Sequence, residues 1–179
     1  MIRWVAVVSG VACIGDARAQ DWTAPVEVLH ELKRCVSYRA TVNGEHLVIR
    51  VALEPGWHTF AMDNVKRAEE KLAGRQSLGI DQPTEITLTG ALAASPPWLQ
   101  SPPKDFSKPE LRWFSWGFEN QAMFVAKVRR LGPGLAEIGI RGQACTETTC
   151  KNIDVSISLP AGGKAGGSPV DLKTLVPVK

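Results

Sequence analysis

Apolar and polar residues alternate along several short stretches of the chain, which is the pattern of β-strands with one buried face. Two of these stretches, residues 35–42 and 45–53, flank Asn43-Gly44. An Asn-Gly pair favours the positive φ angles of a two-residue hairpin turn. The pattern therefore predicts a β-hairpin whose second arm turns four apolar residues towards the core, namely Leu47, Ile49, Val51 and Leu53.

Other stretches of the chain also have the alternation or the aromatic content of short strands. They cover residues 57–62, 85–89, 122–131, 135–144 and 151–159. Turn residues separate them, including Gly132-Pro133-Gly134. Many short strands joined by turns predict an all-β fold, and we expect an immunoglobulin-like antiparallel β-sandwich with one short inserted helix.

The inserted helix is predicted over residues 65–73. Val65, Ala68 and Leu72 recur there on one side at helical spacing. Asp63 or Asn64 can cap its first turn, and Gly74 is placed to end it. We expect this helix to be an insertion on the surface of the sandwich.

Two segments lack a strand pattern. Residues 95–109 contain two Pro-Pro pairs, and proline lacks the N–H group that a sheet ladder needs, so we expect a long ordered loop or a covering flap. Residues 161–168 are rich in glycine and predict a flexible segment, after which residues 169–179 either add an edge strand or remain a tail. We assign residues 161–179 to a Gly-rich flexible C-terminal tail.

The first residues have the features of a secretory leader. Arg3 precedes the apolar run 4–14, and Ala17-Arg18-Ala19 supplies the small-x-small pattern of a signal peptidase site. We predict a signal peptide over residues 1–19 and one sandwich domain over residues 20–160. The run is too short to span a bilayer. We expect an exported protein, periplasmic in a Gram-negative host.

Charge excludes some classes of partner. Lysine and arginine are scattered along the chain, and the formal net charge of +3 falls by one when the leader is removed. A nucleic-acid-binding or membrane-surface protein would carry a basic cluster. The sequence also lacks the G-x-S-x-G, HExxH, P-loop and dinucleotide fingerprints. We expect no nucleic acid, no membrane span and no cofactor.

Cysteine usage points to the segment 142–150. Removal of the leader takes Cys13 away and leaves Cys35, Cys145 and Cys150 in a compartment that permits disulfides. Cys145 and Cys150 stand at the tip of the hairpin predicted from strands 135–144 and 151–159. Because side chains alternate faces along a strand, both cysteines are predicted on the polar face.

Spacing leaves more than one role open for these cysteines. A Cys145–Cys150 bond closes a loop of six residues and stabilises by about 2 kcal/mol in the chain-entropy model, against about 4.7 for a hundred-residue loop. It is therefore either a reactive pair or an inert hairpin disulfide in a non-catalytic binding module. A bond between Cys35 and Cys145 is a rival pairing. Zinc or copper binding with His58, Met62 and Met123 as extra ligands is a weaker alternative, because a second ligand pair near the first is missing.

Three motifs in order carry a resemblance to a known family. They are Pro55-Gly56-Trp57-His58-Thr59-Phe60, then Gln82-Pro83-Thr84-Glu85-Ile86, then Gln143-Ala144-Cys145 followed by Thr149-Cys150 and a strand that ends Ser158-Leu159-Pro160. Together they resemble the N-terminal, immunoglobulin-like domain of the bacterial thiol:disulfide interchange protein DsbD. The resemblance covers residues 26–160.

This resemblance implies a periplasmic electron carrier. Cys145 and Cys150 match the active pair of the family, which exchanges electrons with a thioredoxin-like redox protein or membrane electron conduit and with exported disulfide-containing proteins. A cap loop with aromatic residues shields the pair in the family. Phe114, Trp116 and Gly117 lie where that loop is expected, so the resemblance assigns them to the cap.

Overall fold

The structure is a computed structural model, and it describes residues 22–73, 75, 78–79, 81–161 and 170–179. The predicted signal peptide, the proposed helix-ending Gly74 and the glycine-rich residues 162–169 lie outside the described residues. The described chain forms two antiparallel sheets and one α-helix. This confirms the predicted fold class.

The first sheet contains the hairpin predicted around Asn43-Gly44. Its strands in spatial order are β1 (Val26–His30), β2 (Lys33–Asn43), β3 (His46–Leu53), β9 (Gln121–Arg130), β6 (Leu92–Gln100) and β12 (Val176–Pro177). Strands β2 and β3 pair around Gly44, whose φ is 61°, as the Asn-Gly turn predicts. The four residues predicted on the inner face of β3 all belong to the core.

The second sheet carries the cysteine pair at one end. Its strands in spatial order are β11 (Cys150–Pro160), β10 (Leu135–Cys145), β4 (His58–Phe60), β8 (Trp116–Glu119) and β7 (Lys104–Asp105). A further strand, β5 (Glu85–Gly90), pairs with the earlier part of β10. One edge of β10 is thus shared by two strands, so that β4 lies beside its last two residues.

The core lies between the two sheets. Apolar residues that alternate along β2, β3 and β9 meet those of β10 and β11 in one continuous cluster. Fully shielded members include Val36, Ile49 and Phe124 from the first sheet, and Ile138 and Ile140 from the second. Burial of such side chains is the main favourable contribution to folding.

The helix α1 (Asn64–Leu72) confirms the predicted insertion but begins differently from the expectation. Asp63 occupies the N-cap position without a side-chain capping bond. Its buried carboxylate instead accepts from Arg67 Nε at 2.8 Å, Gln100 Nε2 at 2.8 Å and the Lys179 amide at 3.1 Å. The hydrogen bond from the Arg67 guanidinium joins two ionised groups, and such bonds are stronger than those between neutral groups.

The conformation of the proline-rich segment differs from the prediction. Residues 95–100, expected within a loop or flap, form the second half of β6. The register of β6 with β9 breaks between Ser95 and Leu99, so Pro96 and Pro97 fall where no ladder N–H is needed. The strand therefore passes through a Pro-Pro pair by leaving those residues outside the ladder.

The last ten residues pack against the first sheet. Val176–Pro177 pairs with Leu99 and Gln100 of β6, and the Val178 amide donates to the Trp98 carbonyl at 2.8 Å. Of the two alternatives left open for residues 169–179, the described part adds an edge strand. The domain boundaries at residues 19 and 160 stay predictions.

Candidate functional site

The site is built on the hairpin of β10 and β11. These strands pair without a register shift along their whole length, and the last pair is Cys145 with Cys150. The two cysteines form a disulfide with an S–S bond of 2.08 Å. The structure therefore contains the local pairing, and the rival partner Cys35 is a buried free thiol.

The two sulfur-bearing residues differ in exposure. Cys150 is exposed, whereas Cys145 is only 3% exposed. Ala144 belongs to the main core cluster and Cys145 does not, so the alternation directs Cys145 away from the core. Cys145 is nevertheless shielded because it lies between Cys150 on β11 and His58 on β4.

A cleft of about 1040 Å³ opens over the disulfide. The hairpin tip 145–149 and Cys150 form one wall. The other walls come from segments far apart in the sequence, and their side chains combine aromatic, apolar and charged groups. These residues include Trp57, His58, Asp81, Phe106, Lys108, Leu111, Trp113, Ser115 and Glu119. A concave site with aromatic walls and a few polar groups is the usual form of a binding or active site.

Three chemically distinct residues stand in one row across the second sheet. Cys145 on β10 is the register partner of His58 on β4, and His58 is in turn the partner of Glu119 on β8. Opposite residues of antiparallel strands lie on one face with Cβ atoms about 4.5–5.5 Å apart. The fold thus places a sulfur, an imidazole and a carboxylate side by side, although they are distant in sequence.

The imidazole of His58 is packed between aromatic rings. Its ring centroid lies 5.0 Å from that of Phe106 and 5.3 Å from that of Phe60. Burial lowers the pKa of His58, and nearby Lys108 acts in the same direction, whereas Asp81 and Glu119 oppose the shift. A neutral imidazole can accept a proton from a neighbouring thiol.

Trp113 is fixed at the cleft by contacts of its ring and of its backbone. Its indole Nε1–H donates to Asp81 Oδ2 at 2.8 Å. Its ring lies so close to Gly79 that a Cβ added there would be 2.5 Å from the ring. The Lys108 amide also donates to the Trp113 carbonyl at 2.8 Å, which closes the turn 108–113. These contacts hold a half-exposed tryptophan at the cleft wall.

The predicted cap residues occupy a different place. Phe114 is buried with Ala68 and Leu72 of α1, and Trp116 packs against this cluster and the main core. A Cβ on Gly117 would be 2.0 Å from the Thr59 carbonyl oxygen, so glycine permits close pairing of β8 with β4. None of the three lines the cleft.

Sequence reasoning missed the aromatic residues that do line it. Phe106 and Trp113 stand on either side of the short 3-10 helix Pro109–Leu111, and the Phe106 amide donates to the Ser115 carbonyl at 2.8 Å. The aromatic-rich stretch 113–118 indicated that this part of the chain contributes to the site. The order of residues along the stretch does not determine which of its rings face the cleft. Asp81, Lys108 and Glu119 belong to no recognisable motif, so the sequence did not indicate that they line the site.

The metal alternative finds no cluster to support it. Within residues 22–73, 75, 78–79, 81–161 and 170–179, the structure has no group of three or more His, Cys, Asp or Glu residues able to hold a metal ion. The other suggested ligands are separated between elements, because Met123 lies on β9 of the first sheet and Met62 packs against the main core. Only His58 of the three lines the cleft.

Comparison with known proteins supports the fold. The sequence matches no protein-family model and no curated protein significantly. A similar solved structure is the N-terminal periplasmic domain of ScsB from Proteus mirabilis, with a TM-score of 0.55 and 16% identity. The match covers 79% of this chain and 52% of that chain, so this chain spans about half of the ScsB structure.

A second solved structure is the N-terminal domain of Neisseria meningitidis DsbD in its reduced form, with a TM-score of 0.39 and 12% identity. That match covers 70% of this chain and 85% of the DsbD chain. The resemblance drawn from the three sequence motifs is supported at the level of fold by the ScsB domain alone. In this chain that fold consists of two antiparallel sheets.

Proposed function

We propose that this chain is a periplasmic thiol:disulfide exchange domain. It passes electrons from a thioredoxin-like donor to oxidised exported proteins through Cys145 and Cys150. The observation that carries this proposal is the placement of their disulfide at a large cleft, with one sulfur-bearing residue exposed and the other shielded. A purely structural disulfide does not require such a cleft.

Exposure assigns different roles to the two cysteines. Thiol–disulfide exchange requires access of the attacking thiolate to one sulfur atom. Cys150 is the exposed residue, so a donor thiolate attacks its sulfur, forms a mixed disulfide there and releases Cys145 as a thiolate. A second donor thiolate then attacks the donor sulfur of the mixed disulfide. This step releases reduced Cys150 and oxidises the donor to its own disulfide.

The segment 106–117 serves as the cap in this proposal. Phe106 and Trp113 supply the rings that line the cleft. Phe114 and Trp116 anchor the segment to α1 and to the core, and Gly117 lets β8 approach β4 closely. A partner docks over the disulfide by displacing the two lining rings while the anchored residues stay in place.

Export agrees with this chemistry. The leader features of residues 1–19 and the retained cysteines fit an oxidising compartment. In the described part of the chain, no helix is both long enough and apolar enough to cross a bilayer. The partners are a thioredoxin-like protein or membrane electron conduit that donates electrons, and exported proteins whose disulfides accept them.

The reduction potential tests the proposal. The protein is equilibrated in graded thiol buffers, and alkylation of Cys145 and Cys150 is followed by peptide mass. An exchange domain reaches half reduction well above about −300 mV, because structural disulfides have potentials below that value. A lower potential would identify the alternative, a non-catalytic immunoglobulin-like binding module with an inert hairpin disulfide.

Trapping experiments test the roles of the two sulfurs. With Cys145→Ser, the exposed Cys150 retains a mixed disulfide with a thioredoxin-like protein that lacks its own second cysteine, since both thiolates that would break the mixed disulfide are then missing. The matched variant Cys150→Ser leaves the shielded Cys145 and accumulates much less of the adduct. Equal trapping by both variants would contradict the assignment of Cys150 as the partner-facing sulfur.

A further inference from the structure

His58 occupies a position that the exchange chemistry described above does not use. It is the cross-strand neighbour of Cys145, and both line the cleft over the disulfide. Phe60 and Phe106 restrict its ring from two sides. The imidazole is therefore held on the same face as the shielded sulfur and beside it.

Charged groups from several elements face this imidazole. Glu119 is its register partner on β8, and Asp81 precedes β5, so both carboxylates favour the protonated ring. Lys108 lies after β7 and opposes them, and burial acts in the same direction as Lys108. Glu147 at the hairpin tip lines the same cleft. Burial and Lys108 thus favour the neutral ring and lower the pKa of His58, whereas the two carboxylates favour the charged ring.

We propose that His58 is the proton partner of Cys145 during disulfide exchange, with Glu119 and Asp81 supporting the charged form of its ring. This inference rests on the proposed exchange function. It assigns the proton of the shielded thiol to a named group, whereas exposed Cys150 exchanges its proton with water. A Cys–His pair next to a carboxylate is an arrangement that activates thiols in proteins.

When a donor thiolate attacks Cys150, a new S–S bond forms and the Cys145–Cys150 bond breaks, with its electron pair going to Cys145 Sγ. The imidazolium of His58 gives its proton to that thiolate and becomes neutral. In reverse, the neutral ring takes the proton as Cys145 attacks the mixed disulfide at Cys150 and expels the donor thiolate.

The pH dependence of the Cys145 thiol tests this assignment. In Cys150→Ser, alkylation of Cys145 by iodoacetamide is measured by peptide mass from pH 5 to pH 10, with and without His58→Gln. Each rate is divided by the same variant's rate at pH 10, which removes differences in access. Loss of a neighbouring cation raises a thiol pKa, so we expect the normalised rate at pH 7 to fall about tenfold in His58→Gln.

A matched control separates the proton role from a packing role. His46 lies on β3 of the first sheet, so His46→Gln in the same background leaves the profile unchanged. Lys108→Gln and Glu119→Gln shift the profile in opposite directions, because one removes a cation facing His58 and the other an anion. Circular dichroism verifies the fold, and His58→Asn serves in place of a glutamine variant that fails to fold.

Identical normalised profiles with and without His58 would overturn the inference. That result is distinguishable from failure of the proposed function, because the reduction potential is measured on the unmodified disulfide. If the potential lies in the range of structural disulfides while the His58 effect persists, the hairpin is inert, and the inferred role of His58 in exchange is wrong.

Discussion

Two regions of this protein each shield a cysteine from solvent almost completely, but they surround it with different groups. Cys35 on β2 is 0% exposed, and Cys145 on β10 is 3% exposed. Cys35 belongs to the main core, where its Sγ–H donates to the Val28 carbonyl at 3.2 Å. Cys145 lies outside that cluster, beside an imidazole and a second sulfur.

The comparison shows that burial alone does not decide the chemistry of a thiol. Burial raises the pKa of Cys35 and so favours the inert thiol form. At Cys145 the neighbours are a disulfide partner, a titratable ring and a cleft. The first environment is built by long strands whose side chains cover one another, and the second by short strands β4 and β8 beside the cleft.

The largest difference is expected in the reactivity of the two thiols. After reduction under native conditions, Cys35 reacts with iodoacetamide only when the core opens. Core openings have free energies approaching that of global unfolding, so its alkylation should be at least about a thousandfold slower than that of Cys150, which corresponds to about 4 kcal/mol. Peptide mass after timed quenching measures both rates. Similar rates would show that the core around Cys35 is not a closed region.

A core substitution should destabilise the region around Cys35 without changing the residues around Cys145. Phe124 on β9 is fully buried against Phe118 with ring centroids 5.6 Å apart. Phe124→Ala should lower the free energy of unfolding by about 3–5 kcal/mol and accelerate alkylation of Cys35. Urea unfolding provides the first quantity and peptide mass the second.

The disulfide provides the matched comparison for that variant. Replacing both Cys145 and Cys150 by alanine should cost only about 2 kcal/mol, because the closed loop is short. Alkylation of Cys35 should accelerate much less than in Phe124→Ala. A greater loss of stability in the disulfide variant than in Phe124→Ala would identify the hairpin bond as a principal staple of the fold.

The first region is also the one that the sequence predicts well. Asn43-Gly44 and the alternation in β3 fix a local hairpin, and local turn chemistry determines its register. The cysteine hairpin was predicted for the same reason, because β10 and β11 are adjacent along the chain. Both predictions depend on residues close in sequence.

The cleft could not be predicted in the same way. His58 lies beside Cys145 only because β4 pairs with the last residues of β10, and these segments are far apart in sequence. Trp113 and Phe114 are neighbours in sequence, yet one lines the cleft and the other packs on α1. Alternation within an aromatic stretch assigns its residues to two faces. Only the pairing of strands distant in sequence determines which of these faces lies towards the disulfide.

The smallest expected effect is that of the cap on the reactivity of Cys145. Trp113→Ala combined with Phe106→Ala should accelerate alkylation of reduced Cys145 by about tenfold, since aromatic contacts contribute roughly 0.5–1.5 kcal/mol each. Gly79→Ala should act in the same direction while retaining the indole, because its added methyl would meet the Trp113 ring at 2.5 Å. The rate is measured by peptide mass in fully reduced protein.

Two comparison variants distinguish shielding from general loosening. Phe114→Ala combined with Trp116→Ala removes the anchors on α1, so it should lower stability more than it accelerates the reaction of Cys145. Trp98→Ala removes an aromatic side chain that packs against the main core on β6 and should leave the Cys145 rate unchanged. If the Phe114 and Trp116 variant instead gave the larger acceleration at equal stability, those residues would form the cap and Trp113 would be an ordinary wall of the cleft.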